Sequence, residues 1–163
     1  MALIDAVKDY EGPLMDKNRI GMWGHSMGGG IAARVMTLSS DIRAYVLFAS
    51  ISADAEENFY ELTDEEIAWL YETYGAESSD IYRRISPITY FQDVQTPVQL
   101  HHGAADRDVP TAFSETMFQR LTALNKKAEL FTYPGEGHEF ADAWQTAADR
   151  ALQFFDKYVK EAL

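Results

Sequence analysis

The chain has 163 residues, no cysteine, 47% hydrophobic and 25% charged residues, and a formal net charge of −12. The length suits one domain with one core, and the absence of cysteine excludes disulfides, thiolate metal sites and a cysteine nucleophile. The acidic field repels nucleic-acid backbones and anionic membrane surfaces. The chain opens on Leu3, Ile4, Val7 and Tyr10 at helical spacing, a pattern that Gly12-Pro13 ends. This start is too charged for a signal peptide, and no apolar run reaches the length of a membrane span, so a soluble cytoplasmic protein is expected.

Arg19 to Trp23 reads as a short buried strand, with Gly24 beginning a tight turn. Ile31, Ala32, Val35 and Met36 mark the next helix, whose glycine-rich start (Gly28, Gly29, Gly30) allows close packing on a strand. Ile42 to Phe48 is an apolar, β-branched and aromatic run, and predicts the second strand. Residues 51 to 92 differ in character. They are acidic and aromatic, carry a capping box at Thr63-Asp64-Glu65-Glu66, and predict a small helical insertion over the sheet edge.

Pro97 to His101 predicts the third strand, and Phe113, Met117, Phe118, Leu121 and Leu124 the face of the helix after it. Ala128 to Tyr133 predicts the fourth strand. The final helix is expected to carry Phe140, Trp144, Ala148, Leu152, Phe155 and Val159 on one stripe. Short continuous apolar strands alternating with helices imply a mainly parallel sheet of about four strands in an α/β fold, residues 1–163 forming one domain.

Gly24-His25-Ser26-Met27-Gly28 fits G-x-S-x-G between a predicted strand and a predicted helix. At such a turn the serine is held in a strained geometry, the glycines two residues either side avoid clashes, and the hydroxyl is lifted out at the carboxyl end of the strand. The helix that starts there offers a free backbone N–H at Met27 for a developing oxyanion. The plainer alternative is a serine that caps the helix.

A serine nucleophile needs a base. Of the four histidines, His25 sits inside the turn, and His101 and His102 close a strand; structural roles are expected for all three. His138 lies in Pro134-Gly135-Glu136-Gly137-His138-Glu139-Phe140, a loop opening at the same end of the sheet as the serine turn, and is the geometrically sensible base. The base in turn needs a carboxylate. The loop after the third strand offers Asp106 and Asp108, either of which could instead pair with Arg107 or cap the helix beginning near Thr111. The chain order of serine, acid and histidine is that of α/β-hydrolases.

At these residues the chain resembles the prolyl-oligopeptidase-like and dienelactone-hydrolase-like branch of the α/β-hydrolases. The resembling stretches are Asn18 to Gly29, Tyr82-Arg83-Arg84-Ile85-Ser86-Pro87-Ile88, Thr96-Pro97 through Asp106 to Val109-Pro110, and Tyr133 to His138. The resemblance implies that the acid is Asp106, three positions after the His-Gly pair, and that esters or peptides are hydrolysed through an acyl-enzyme without cofactor or metal. Family members carry further strands before this point and a His-Gly-Gly type loop that supplies a second oxyanion donor, and no such loop occurs here. The expectations are therefore a truncated α/β-hydrolase with an open sheet edge covered by a second copy of the chain, and an oxyanion site short of one donor.

The expected activity is that of a carboxylesterase on short acyl esters, with Phe59, Tyr60, Trp69 and Tyr71 as possible walls of an acyl pocket. A peptidase acting on short peptides, or a non-catalytic remnant serving as an interaction module, are the alternatives.

Overall fold

The computed structural model describes residues 2–12, 15–75 and 80–161. Four strands form one parallel sheet in the order β1-β2-β3-β4: β1 Ile20–His25, β2 Ile42–Phe48, β3 Val98–Gly103 and β4 Ala128–Tyr133. The helices are α1 Ala2–Lys8, α2 Met27–Val35, α3 Asp64–Tyr74, α4 Asp80–Ile85, α5 Thr111–Ala123 and α6 Trp144–Phe155. The α/β expectation therefore holds, with every strand parallel to its neighbours.

Two strand ends lie further on than the sequence suggests. Gly24 and His25 still pair, with Leu47 and Phe48, so the turn begins at Ser26 rather than Gly24. Likewise β3 runs past His101, because His102 and Gly103 pair with Thr132 and Tyr133. Both extensions carry the chain closer to the rim where the loops gather. Strands β2 and β3 have almost no exposed surface, as their continuous apolar runs require of strands covered on both faces.

The sheet divides the core into two layers. On one face Ala32, Ala33 and Met36, at and just beyond α2, pack with Leu47 and Leu100 of the sheet and with Met117 and Leu121 of α5; Ile4 of α1 joins them. On the other face Ala147, Ala151 and Phe154 of α6 pack on Val46, Phe48 and Tyr133. The helical insertion of residues 51 to 92 reaches into the first of these layers. Its last segment, the 3₁₀ turns at Pro87–Asp93, contributes Phe91 to the first layer, and Val94 follows it there. Apolar side chains in a short polar insertion are held wherever they find a core to enter. α3 buries no residue fully, although Thr63 and Glu66 do form the capping box.

The stripe predicted on the last helix is only partly buried. The residues facing the sheet are Ala147, Ala151 and Phe154, whereas Trp144 and Leu152 remain exposed. Phe140 lies before the helix, in the loop, and is fully buried. The helix has a wider apolar arc than the sheet beneath it covers. Its uncovered part lines an apolar groove of about 380 Å³ with Trp23 and Phe48, beside the edge strand β1.

Candidate active site

Ser26 follows β1 directly and adopts φ 55°, ψ −120°, a left-handed conformation that costs a non-glycine residue roughly 1–3 kcal/mol. The backbone around it holds that geometry. Its N–H donates to Phe48 O (2.9 Å), and its own carbonyl accepts from Gly29 (3.0 Å), Gly30 (3.3 Å) and Ile51 (3.3 Å). A side chain at Gly24 would place its Cβ 2.2 Å from Gly28 O, so glycine is required there for strand and helix to approach. Gly28 itself is a correction to the sequence reading: a Cβ there meets nothing within 4 Å, and the crowded helical positions are Gly29, against Ser50, and Gly30, against Ile51.

The hydroxyl of Ser26 makes no capping hydrogen bond to α2, which removes the plain helix-cap account of this serine. Met27 is the first residue of α2, and an N–H in a helix's first turn has no intrahelical carbonyl to meet.

His138 and Asp106 come from loops after β4 and β3. The imidazole Nδ1 lies 2.8 Å from Asp106 Oδ2. A carboxylate only accepts, so Nδ1 carries the proton and, in the neutral ring, Nε2 is the basic nitrogen. The Asp106 side chain is fully buried and that of His138 is 12% exposed. Burial pushes the Asp106 carboxyl up. The N–H of Val109, the His138 imidazole and the N–H of Asp108 outweigh it, and the group sits below the ordinary carboxylate value. Asp108, the other candidate acid, is exposed and serves through its backbone N–H to Asp106 Oδ1 (2.9 Å).

Gly103 lets the two loops meet. A Cβ there would lie 2.4 Å from the carbonyl oxygens of both Glu136 and Gly137. Phe140, with φ 54°, anchors the far side of the loop by packing on Phe48 and Tyr133, with ring centroids at 5.2 and 5.4 Å.

The other histidines separate by burial. His101 and His102 are fully buried. His101 bonds Gln99 Oε1 and Tyr133 OH, and burial, aided by Arg150, pulls its pKa down to about 3. His102 donates Nε2–H to Val109 O and accepts from Ser114, and its pKa is lowered chiefly by burial. His25 is half-buried, with Nε2 3.0 Å from His138 O and its ring 4.5 Å from the His138 ring. Sequence reasoning gave it no more than a structural place in the turn; its contact with the base loop is a tertiary fact.

The aromatics of the insertion do not form a single wall. Phe59, Tyr71 and Tyr82 pack edge-on with one another, and Trp69 is 58% exposed. Tyr60 donates its hydroxyl to Asp108 O at 2.6 Å and so ties the insertion to the acid loop. A separate cleft of about 430 Å³ starts at Met27 and runs along α2 past Ile31 and Arg34, bounded opposite by Ile51, Asn58 and Pro87.

Among the described residues, two sets of potential metal donors lie within 4.8 Å of one another: His25 with His138 and Glu139, and Asp106 with Asp108 and His138. Both draw on His138, whose Nδ1 is already bonded to Asp106.

The model of the prolyl oligopeptidase family matches residues 1–162. The chain belongs to that family. Among similar curated proteins, a "Putative carboxymethylenebutenolidase" of Escherichia coli O157:H7 is 31% identical over 105 residues, covering 56% of this chain. The chain spans 36% of the length of that relative. Among solved structures, a puromycin-hydrolyzing peptidase of Mycobacterium tuberculosis aligns with 97% of this chain and 24% of its own, at 25% identity and a TM-score of 0.79. The propionate-bound esterase Est2 of Thermogutta terrifontis aligns with 96% of this chain and 62% of its own, at 23% identity and a TM-score of 0.71. The fold is that of the α/β-hydrolases, and the family is one of hydrolases. Among the described residues no helix is long and apolar enough to cross a membrane.

Proposed function

We propose that the protein is a serine hydrolase of the carboxylesterase type, cleaving short-chain carboxylic esters, with Ser26 as nucleophile, His138 as general base and Asp106 as the group that orients the base. The observation that carries this reading is the hydrogen bond from His138 Nδ1 to the buried Asp106 carboxylate; Ser26 stands in a strained turn directly after His25, the residue of β1 that contacts the His138 main chain. That bond leaves Nε2 free to take a proton.

In this mechanism Ser26 Oγ attacks the acyl carbonyl and its proton passes to His138 Nε2. The Met27 N–H stabilises the tetrahedral oxyanion. Collapse breaks the ester C–O bond as His138 returns the proton to the leaving alcohol, giving an acyl-enzyme. Water, deprotonated by the same imidazole, releases the acid and restores the serine. Met27 is the one oxyanion donor assigned, and removing such a donor costs roughly 10²–10³ in turnover. An alcohol leaves more readily than an amine, which favours the ester reading. No cofactor or metal enters any step.

A butyrate ester of a chromogenic phenol, assayed with wild type and Ser26→Ala, tests the proposal. The wild type should hydrolyse it and take up a fluorophosphonate at Ser26; equal rates for the two proteins would remove the hydrolase reading and leave the interaction-module alternative. The peptidase reading draws on the family match and on the puromycin-hydrolyzing neighbour. An aminoacyl amide cleaved faster than the butyrate ester would establish it instead.

The same proposal includes a second copy of the chain over β1. Among the described residues β1 has no partner on its outer side, and Trp23, Trp144 and Leu152 stand exposed beside it. Unpaired backbone next to apolar surface favours association. Light scattering should give a dimer at micromolar concentration; a clean monomer refutes the association.

A further inference from the structure

The base loop begins after β4, three strands from β1, which Ser26 directly follows, a span of roughly 14 Å at the usual strand spacing. Something must hold the loop back across the rim. Most of its contacts pull it toward β3 and β4 or brace it internally: His138 Nδ1 to Asp106, Ala105 N–H to Glu136 O (2.8 Å), and Asp142 N–H to Glu136 Oε2 (3.2 Å). Phe140 reaches β2 through Phe48. None of these fixes His138 relative to β1.

His25 does. It is the last residue of β1 and the neighbour of Ser26, and its Nε2 lies 3.0 Å from the main-chain carbonyl of His138. A carbonyl only accepts, so His25 is the donor. The ring is stacked against Trp23 with an interplanar angle of 10° and sits 4.5 Å from the His138 ring.

We propose that His25 is a positioning residue: its Nε2–H, donated to the carbonyl of His138, fixes the base loop against the nucleophile turn. Residue 138 is then held at two points, its side chain from β3 through Asp106 and its main chain from β1 through His25. The catalytic consequence rests on the hydrolase reading above; the structural claim does not. A group held at one end only can pivot, and an error of about 1 Å in placement costs on the order of 10²-fold in rate.

Two variants separate the donor from the ring. His25→Phe keeps the ring beside Trp23 and removes the N–H. His25→Gln places an amide N–H the same number of bonds from Cβ. The first readout is the low-field proton NMR signal of His138 Nδ1–H, which needs no turnover. It should stay sharp in wild type and His25→Gln and broaden in His25→Phe. The second is hydrolysis of the butyrate ester, where kcat of His25→Phe should fall about 10- to 100-fold with KM little changed, and His25→Gln should recover most of it.

A sharp signal or an undiminished kcat in His25→Phe overturns the proposal. So does a His25→Gln variant as impaired as His25→Phe, since the donor would then not be the cause. If the wild type hydrolyses nothing while the signal is lost only in His25→Phe, the positioning claim stands and the hydrolase reading falls.

Discussion

Replacing Gly103 by alanine offers a direct test of how closely the acid and base loops must approach. The added Cβ would lie 2.4 Å from the carbonyl oxygens of Glu136 and Gly137 and 2.8 Å from Glu136 C. Ordinary contact begins at 3.4 Å, so the deficit is 3.4 − 2.4, about 1 Å, and the obstruction is backbone on both sides, with no side chain to swing away. The base loop must lift or β3 must bend.

If the loop lifts by that amount, the 2.8 Å bond from His138 to Asp106 opens to about 3.8 Å, beyond hydrogen-bonding range. The expected result is a loss of kcat on the order of 10²-fold with stability lower by about 1–3 kcal/mol. Gly137→Ala is the control: a Cβ there meets nothing within 4 Å, so its rate and urea midpoint should match the wild type. Rates are read with the chromogenic butyrate ester, and stability by urea denaturation. A Gly103→Ala protein that keeps both the wild-type rate and the wild-type midpoint would show that the loops do not meet over β3 as described.

Three further outcomes follow from buried groups. His101 is buried neutral with a pKa near 3, against 6.5 when free, so the unfolded chain binds the extra proton between those values and stability falls as pH drops below 6.5. At pH 5, one and a half pH units below 6.5, His101 alone costs about 2 kcal/mol, and His102 shifts in the same direction; identical urea midpoints at pH 7.5 and pH 5 would contradict this. The hydroxyl of Tyr45 is buried without a hydrogen-bond partner among the described residues, so Tyr45→Phe should raise stability by about 1 kcal/mol, and the urea midpoint with it, rather than lower them. Phe48, fully buried and in ring contact with Trp23, His101, Phe140 and Trp144, should cost about 3–5 kcal/mol when changed to alanine, read from the same denaturation curves.

Much of this molecule was legible in order along the chain. The runs Ile42–Phe48 and Ala128–Tyr133 coincide with β2 and β4; β2 is buried almost throughout and reads as a largely apolar run, whereas the edge strand β4 is only partly buried and keeps Glu129 and Thr132 among its apolar residues. Ser26, His138 and the pair Asp106 and Asp108 were legible as candidates from residue type and from their place after a strand, since parallel strands deliver every such loop to one rim, and the family resemblance alone favoured Asp106. Periodicity also located the last helix, but not which part of its apolar arc would be covered, because that depends on how far the sheet extends beneath it.

What the sequence by itself determined was the alternation of strands and helices and the chemical types brought to the rim. Only the tertiary structure decided the pairings across it: Asp106 rather than Asp108 against His138, Gly103 beneath the base loop, and His25 against the His138 carbonyl. Local patterns report the environment each residue needs. Which distant residue supplies that environment is set by strand order and loop path, and these are fixed by packing across the whole sheet.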